Sequence, residues 1–292
     1  MFQELPQPRS RMSRRRALTL GGTALVAAVG LGAGIRGAAR RGRIETGPRV
    51  DDDPSDTWPP LPLGLSQDVP TAFRFSVVRG VSASDEQLLR EAAVLARDFY
   101  RRTLGVYLTN RPMIHLTLAA NREALGDADT QTVRIYVASP AWPRLSRVDK
   151  IEVVCHEVFH LFQATLSKGW YPTPLYLLEG AAEYAGQSAV VDAGLRSREE
   201  FLSTQAGIVA RYPQPRIGDV DRDSGSGSYA VGALAVDQIV GARGTALLGA
   251  YFDLLRDQVT QQEAFSRAFG ETRPAFEERF ERWRAVNGIA AR

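Results

Sequence analysis

The sequence contains one cysteine and three histidines in 292 residues. A lone Cys155 can form no intrachain disulfide, so no cross-linked scaffold holds the fold. It sits in the apolar run Ile151-Glu152-Val153-Val154-Cys155, which reads as a buried small hydrophobe rather than a thiol nucleophile. Positive charge is scarce where a nucleic-acid binder would need it. Of 36 basic and 33 acidic residues, nine arginines and one acid (Glu4) fall in residues 1–43, which leaves the remainder near −5. The overall +3 therefore belongs to the N-terminal segment, and nucleic acid is not an expected partner. No internal repeat is present. What remains is ordinary: 44% apolar and 24% charged residues, a composition able to build a sizeable core.

Strongly apolar runs are lacking too. The uncharged stretch 17–35 is 19 residues long, near the lower limit for crossing a bilayer, and five of those residues are glycine. Arg14, Arg15 and Arg16 precede it, and Ser13 to Leu18 resembles a twin-arginine export signal with Ala17 where phenylalanine is usual. Gly37-Ala38-Ala39 offers a small-residue cleavage site, whereas Arg36, Arg40, Arg41 and Arg43 suit a retained anchor. Residues 1–43 thus read as either a cleaved export signal or a single membrane anchor. Both place the rest of the chain outside the cytoplasmic membrane, secreted or anchored. Residues 44–70, with Asp51-Asp52-Asp53 and five prolines after Pro48, read as an extended Pro/Asp-rich linker. Residues 71–292 form the folded domain.

Strand patterns occupy 73–78, 112–118 and 132–138, and a helix spans 85–104 with Ser84 as N-cap and Gly105 as its stop. From Ser146 onward the periodicity is helical, over 146–167, 174–190, 198–210, 228–240, 243–258, 260–269 and 273–287. The expected class is α+β, a small β-sheet followed by a mainly helical half.

Two of the three histidines lie in His156-Glu157-Val158-Phe159-His160. Residues four apart share a helix face, so both imidazoles can reach one Zn2+. Glu157, one residue along, stands beside the metal and can take a proton from a water there. The next acid downstream is Glu179, in the apolar helical stretch Leu178-Glu179-Gly180-Ala181-Ala182-Glu183-Tyr184. An acid in such a setting is costly unless paired or metal-bound. Glu183, four residues on, can accept from the free ring nitrogen of a ligand histidine. The alternative is a helix pair with a buried polar cluster, in which every group would need its own partner.

These residues resemble the gluzincins, in which HExxH is followed by a glutamate on a second helix. The spacing HExxH-x18-E and the continuation Glu-Gly-x-Ala-x-Tyr look like the zinc aminopeptidases. The pair Glu179 and Glu183 is similar to the thermolysin pattern, and Trp170 to Tyr184 is similar to peptidase-MA-like domains. The resemblance covers roughly 115–240. It implies zinc held by His156, His160 and Glu179, and a strand 132–138 that is the edge strand over the cleft, where a peptide substrate adds as a further strand. It also implies an oxyanion partner from a later helix. Tyr229, after the Gly-Ser run 224–228, is the first choice and Tyr184 the second; His115 reads as structural. The run 224–228 is either a cleft loop or a plain linker. Gln163 and Leu166 stand where metzincins have glycine and histidine, which excludes that group. No Gly-x-Met-Glu-Asn segment is present to hold a substrate amino terminus. The reading is a zinc metallopeptidase. A non-catalytic zinc-containing cell-envelope protein and a zinc hydrolase of non-peptide amides stand as alternatives.

Overall fold

The computed structural model describes residues 49–52, 73–108, 111–119, 124–169, 173–212, 214–222 and 226–289. The export or anchor segment 1–43 and most of the linker 44–70 lie outside the described residues. Among the described residues no helix is long and apolar enough to cross a membrane.

The architecture is α+β. A five-stranded mixed sheet is built from β1 (Arg49–Asp52), β2 (Arg74–Val77), β3 (Met113–Thr117), β4 (Gly126–Ala128) and β5 (Thr132–Tyr136), in the order β1-β2-β3-β5-β4. The central pairings β2–β3 and β3–β5 are parallel, and both outer pairings are antiparallel. β1 comes from within the stretch read as a linker. It pairs Arg49 with Val77 and Asp52 with Arg74.

The crossover between β2 and β3 is α1 (Ala83–Leu104). Its N-cap is Ser82, whose hydroxyl accepts from the Asp85 amide; Ser84, the sequence-based choice, already lies inside the helix. Gly105 ends it at φ 67°, a left-handed conformation that glycine adopts without strain. Leu88, Leu89, Ala92, Ala96 and Phe99 are buried, as the 3.6-residue period requires.

The sheet order corrects one expectation. The strand at 132–136 is internal, and the edge strand is β4. A tight turn at Asp129 folds β4 back onto β5, with the Asp129 carboxylate accepting from the amides of Gln131 and Thr132 at 2.8 Å each.

The helical half begins with α2 (Arg147–Leu166), opened by a capping box between Ser146 and Asp149. From Ile151 to Ala164 every residue of α2 is buried. It packs against α1, the β4–β5 hairpin, α3 (Leu175–Asp192) and the later helix that carries Phe252. Tyr100 of α1 donates to the Cys155 carbonyl at 2.9 Å and packs edge-on against Phe159 and Phe162. The rest is α4 (Arg198–Arg211), α5 (Ser226–Val240), α6 (Ala246–Arg256), α7 (Gln261–Phe269) and α8 (Arg273–Val286).

Two glycines let α3 approach its neighbours closely. A Cβ on Gly180 would lie 2.5 Å from the Gly232 carbonyl carbon of α5, and one on Gly186 would lie 3.1 Å from the His156 amide nitrogen of α2. The backbones of α2, α3 and α5 therefore converge around the segment that carries Glu179 and Glu183.

Candidate metal centre

His156 and His160 project from one face of α2, and Glu179 meets them from the second turn of α3. The two Nε2 atoms are 3.3 Å apart. Glu179 Oε2 is 3.4 Å from His156 Nε2 and 3.3 Å from His160 Nε2. The three form the one group of at least three histidine, cysteine or acidic side chains among the described residues that could hold a metal ion.

The remaining ring nitrogens are held from behind. His156 Nδ1 lies 3.3 Å from Glu183 Oε2, and Glu183 Oε1 accepts from Gln205 Nε2 of α4 at 3.0 Å. His160 Nδ1 lies 2.6 Å from Gln163 Oε1. Both rings thus turn Nε2 toward Glu179. Its Oε2 is buried and has no hydrogen-bond donor.

The local field favours a cation. Burial works against charge on His156, yet the carboxylates of Glu179, Glu183 and Glu157 raise its pKa well above the usual imidazole range. Burial likewise acts to raise Glu179, but His160 and His156 hold its carboxyl well below the usual range.

Glu157 points to the other side, under the hairpin. Burial pushes its carboxyl up to about 7; the two histidines oppose the rise, and Glu179 and Asp127 add to it. A Cβ on Gly126 of β4 would stand 2.8 Å from Glu157 Cγ, so the edge strand lies directly against this acid. Asp127 is fixed on the hairpin by Arg134 at 2.7 Å and by the Tyr136 hydroxyl.

Tyr229 lies in the first turn of α5, with its ring centroid 6.1 Å from that of His156. It is buried, and burial together with Glu179, Glu157 and Glu183 keeps its hydroxyl protonated. The start of α5 is pinned, because Ser228 donates to Gln214 Oε1 at 2.9 Å. The second half of the Gly-Ser run is therefore helix, while 223–225 lie outside the described residues. Tyr184 points elsewhere, packing edge-on against Phe201 in a crevice with Arg198 and Arg243. His115 lies within the sheet, its Nδ1 2.9 Å from Ser76 Oγ. Cys155 is fully buried, and burial pushes its thiol far above the usual range, which leaves no nucleophile.

Several residues around the centre escape a reading of the chain alone. In the sequence Gln163 only excludes the metzincins, and nothing marks Gln205. Glu152, one turn before His156, is buried beside Glu183, with Arg196 Nη1 at 2.8 Å. A glutamine at i+3 from a ligand histidine, inside an apolar helix, is a visible signal. Gln205 and Arg196 carry none, because their roles depend on where α4 and the turn before it pack.

No protein-family model and no curated protein matches the chain. Among solved structures it matches an M1 zinc metallopeptidase of Deinococcus radiodurans, a glutamate-to-alanine mutant bound to a Tyr-Ser-Ala substrate. The identity is 14% and the TM-score 0.48, over 73% of this chain and 48% of that one. The chain thus spans about half the length of the structure it matches.

Proposed function

We propose that the chain is a gluzincin-type zinc peptidase, with His156, His160 and Glu179 as metal ligands and Glu157 as general base. One observation carries the reading. The three donor atoms stand 3.3, 3.3 and 3.4 Å from one another. Tetrahedral zinc with bonds of about 2.0–2.1 Å requires ligands about 3.3–3.4 Å apart. Three protein ligands leave one position for chemistry, whereas structural zinc sites use four.

Zinc in such a site acts as a Lewis acid toward a carbonyl oxygen and an attacking water. Glu157 supplies the proton traffic. With its carboxyl raised to about 7, it can take a proton from water and release it to the leaving amine near neutral pH. Tyr229 keeps its proton and is the donor for the developing oxyanion. β4 has one sheet neighbour among the described residues, β5, and its other edge is where a peptide strand would add beside Glu157. In this reading residues 1–43 export or anchor the domain, which works on peptides or proteins outside the cytoplasmic membrane.

The test pairs zinc analysis with hydrolysis of casein or a peptide library, with and without chelator. Wild-type protein should carry one zinc and lose its activity to the chelator. Glu157→Gln should keep the zinc and lose about 10²–10⁴-fold in turnover. Turnover retained in that variant would remove Glu157 as base. Stoichiometric zinc without hydrolysis of peptides or other amides would leave a non-catalytic zinc protein.

A further inference from the structure

Gln163 is 1% exposed, on α2, one turn beyond His160. Both ends of its amide are engaged. Oε1 lies 2.6 Å from His160 Nδ1, and Nε2 donates to the Leu178 carbonyl at 2.9 Å. A backbone carbonyl can only accept, so the NH2 end must face Leu178. The oxygen must then face His160, which requires the proton on Nδ1 and leaves the Nε2 lone pair turned toward Glu179. Leu178 is the residue before Glu179.

We propose that Gln163 is a positioning residue that sets two of the three ligands at once. It fixes the tautomer and ring angle of His160, and it ties α3 to α2 one residue from Glu179. This rests on the zinc reading above. The two histidines are supported differently. His156 has the carboxylate of Glu183 behind it, whereas His160 has a neutral amide whose second end reaches the neighbouring helix. A carboxylate at position 163 could still accept from His160, but its other oxygen would face the Leu178 carbonyl without a proton to share. The bridge needs a donor and an acceptor on one side chain, which the amide supplies and an ionised glutamate does not.

The experiment uses full-length protein and zinc as the probe. Zinc affinity is measured by competition with a chelator, and the ring protons of His160 by nitrogen–proton NMR of the zinc-loaded protein. Gln163→Met keeps the length and removes both hydrogen bonds. It should weaken zinc binding about 10–100-fold and expose the Nδ1 proton of His160 to exchange. Gln163→Glu should also bind zinc more weakly than wild type. Phe265→Leu, a fully buried truncation in α7, controls for general destabilisation and should leave zinc affinity unchanged. Wild-type affinity and a protected ring proton in Gln163→Met would overturn the proposal. Wild-type affinity in Gln163→Glu alone would overturn the bridge and reduce Gln163 to an acceptor for His160. Wild-type protein that takes up no zinc would overturn the site reading first, and this inference with it.

Discussion

The Nε2 atoms of His156 and His160 face each other at 3.3 Å, with Glu179 Oε2 closing the triangle. With Glu183 and Gln163 facing the two Nδ1 positions, the two Nε2 atoms and the Glu179 carboxylate converge on one point, where a proton or a metal ion can stand. Lone pairs so placed repel unless a cation stands among them. Added zinc should therefore stabilise the fold, by about 2.7 kcal/mol at a free concentration 100-fold above Kd. Thermal unfolding with and without zinc measures this as a rise in Tm. Glu179→Ala should lose most of the rise, and an undiminished rise would remove Glu179 from the ligand set.

The start of α2 is fixed by Asp85, the third residue of α1. Its Oδ1 accepts from Trp142 Nε1 at 2.9 Å and from Lys150 Nζ at 3.1 Å, and Oδ2 accepts from Ser82 Oγ at 2.7 Å. Burial acts to raise its pKa, but these donors and the Lys150 charge hold it below the usual aspartate value. A carboxyl with a lowered folded pKa stabilises above its unfolded pKa, and the benefit is lost as pH falls through the folded value. Asp85→Asn should cost about 1 kcal/mol at neutral pH. The gap between variant and wild type should close as pH falls below 3.8. Urea unfolding across that range measures it, and a gap independent of pH would show that the charge plays no part.

Much of the centre is legible because it is local. His156, Glu157 and His160 are fixed relative to one another by one helix, and Glu179 and Glu183 by another, so spacing alone places each set. The edge strand was not legible. Gly126-Asp127-Ala128 is three residues long and holds no β-branched or aromatic side chain, so no alternation marks it. β5, with Val133 and Ile135 in alternation, is plain in the sequence, and the resemblance made it the edge. The turn at Asp129 instead adds one more strand beyond it. Gln163, Gln205 and Arg196 act across elements, and their partners follow from packing. The cap of α1 lies two residues before the expected one because two serines, Ser82 and Ser84, stand just ahead of Asp85, and only the geometry at the Asp85 amide selects between them.

β1 makes part of the linker a member of the sheet. It pairs four residues with β2 and covers the edge opposite the candidate cleft. A chain beginning at residue 73 bares that edge of β2, whereas one beginning at residue 44 keeps it covered. The shorter chain should unfold at lower urea and self-associate more readily, because an uncovered edge templates pairing. Unfolding curves and light scattering of the two chains test this. Identical behaviour would make β1 dispensable.

Gly126 occupies a position on β4 where a side chain would strike Glu157. Its Cβ would lie 2.8 Å from Glu157 Cγ and 2.9 Å from Oε1. Cγ is held by the buried helix, so the acid must rotate or the strand must retreat. Gly126→Ala should lose more than about tenfold in turnover, since a displacement near 1 Å costs that much or more. Zinc content should stay at one per chain, because the atoms nearest the added Cβ belong to Glu157 and not to a ligand. Stability should fall by about 1–3 kcal/mol, the usual cost of overpacking. Full activity in Gly126→Ala would show that the hairpin does not set the position of Glu157.

Tyr229 divides the catalytic proposal from the metal proposal. Its ring packs near His156, it stands outside the group formed by His156, His160 and Glu179, and burial keeps its hydroxyl protonated. Tyr229→Phe retains the ring and removes the donor. If the hydroxyl meets charge that develops only at the transition state, kcat should fall about 10²–10³-fold. KM should change little, since the bound ground state makes no use of the donor. Zinc content should be unchanged. A parallel rise in KM with constant kcat would instead make Tyr229 a substrate-binding group, and wild-type kinetics would leave it a packing residue at the start of α5.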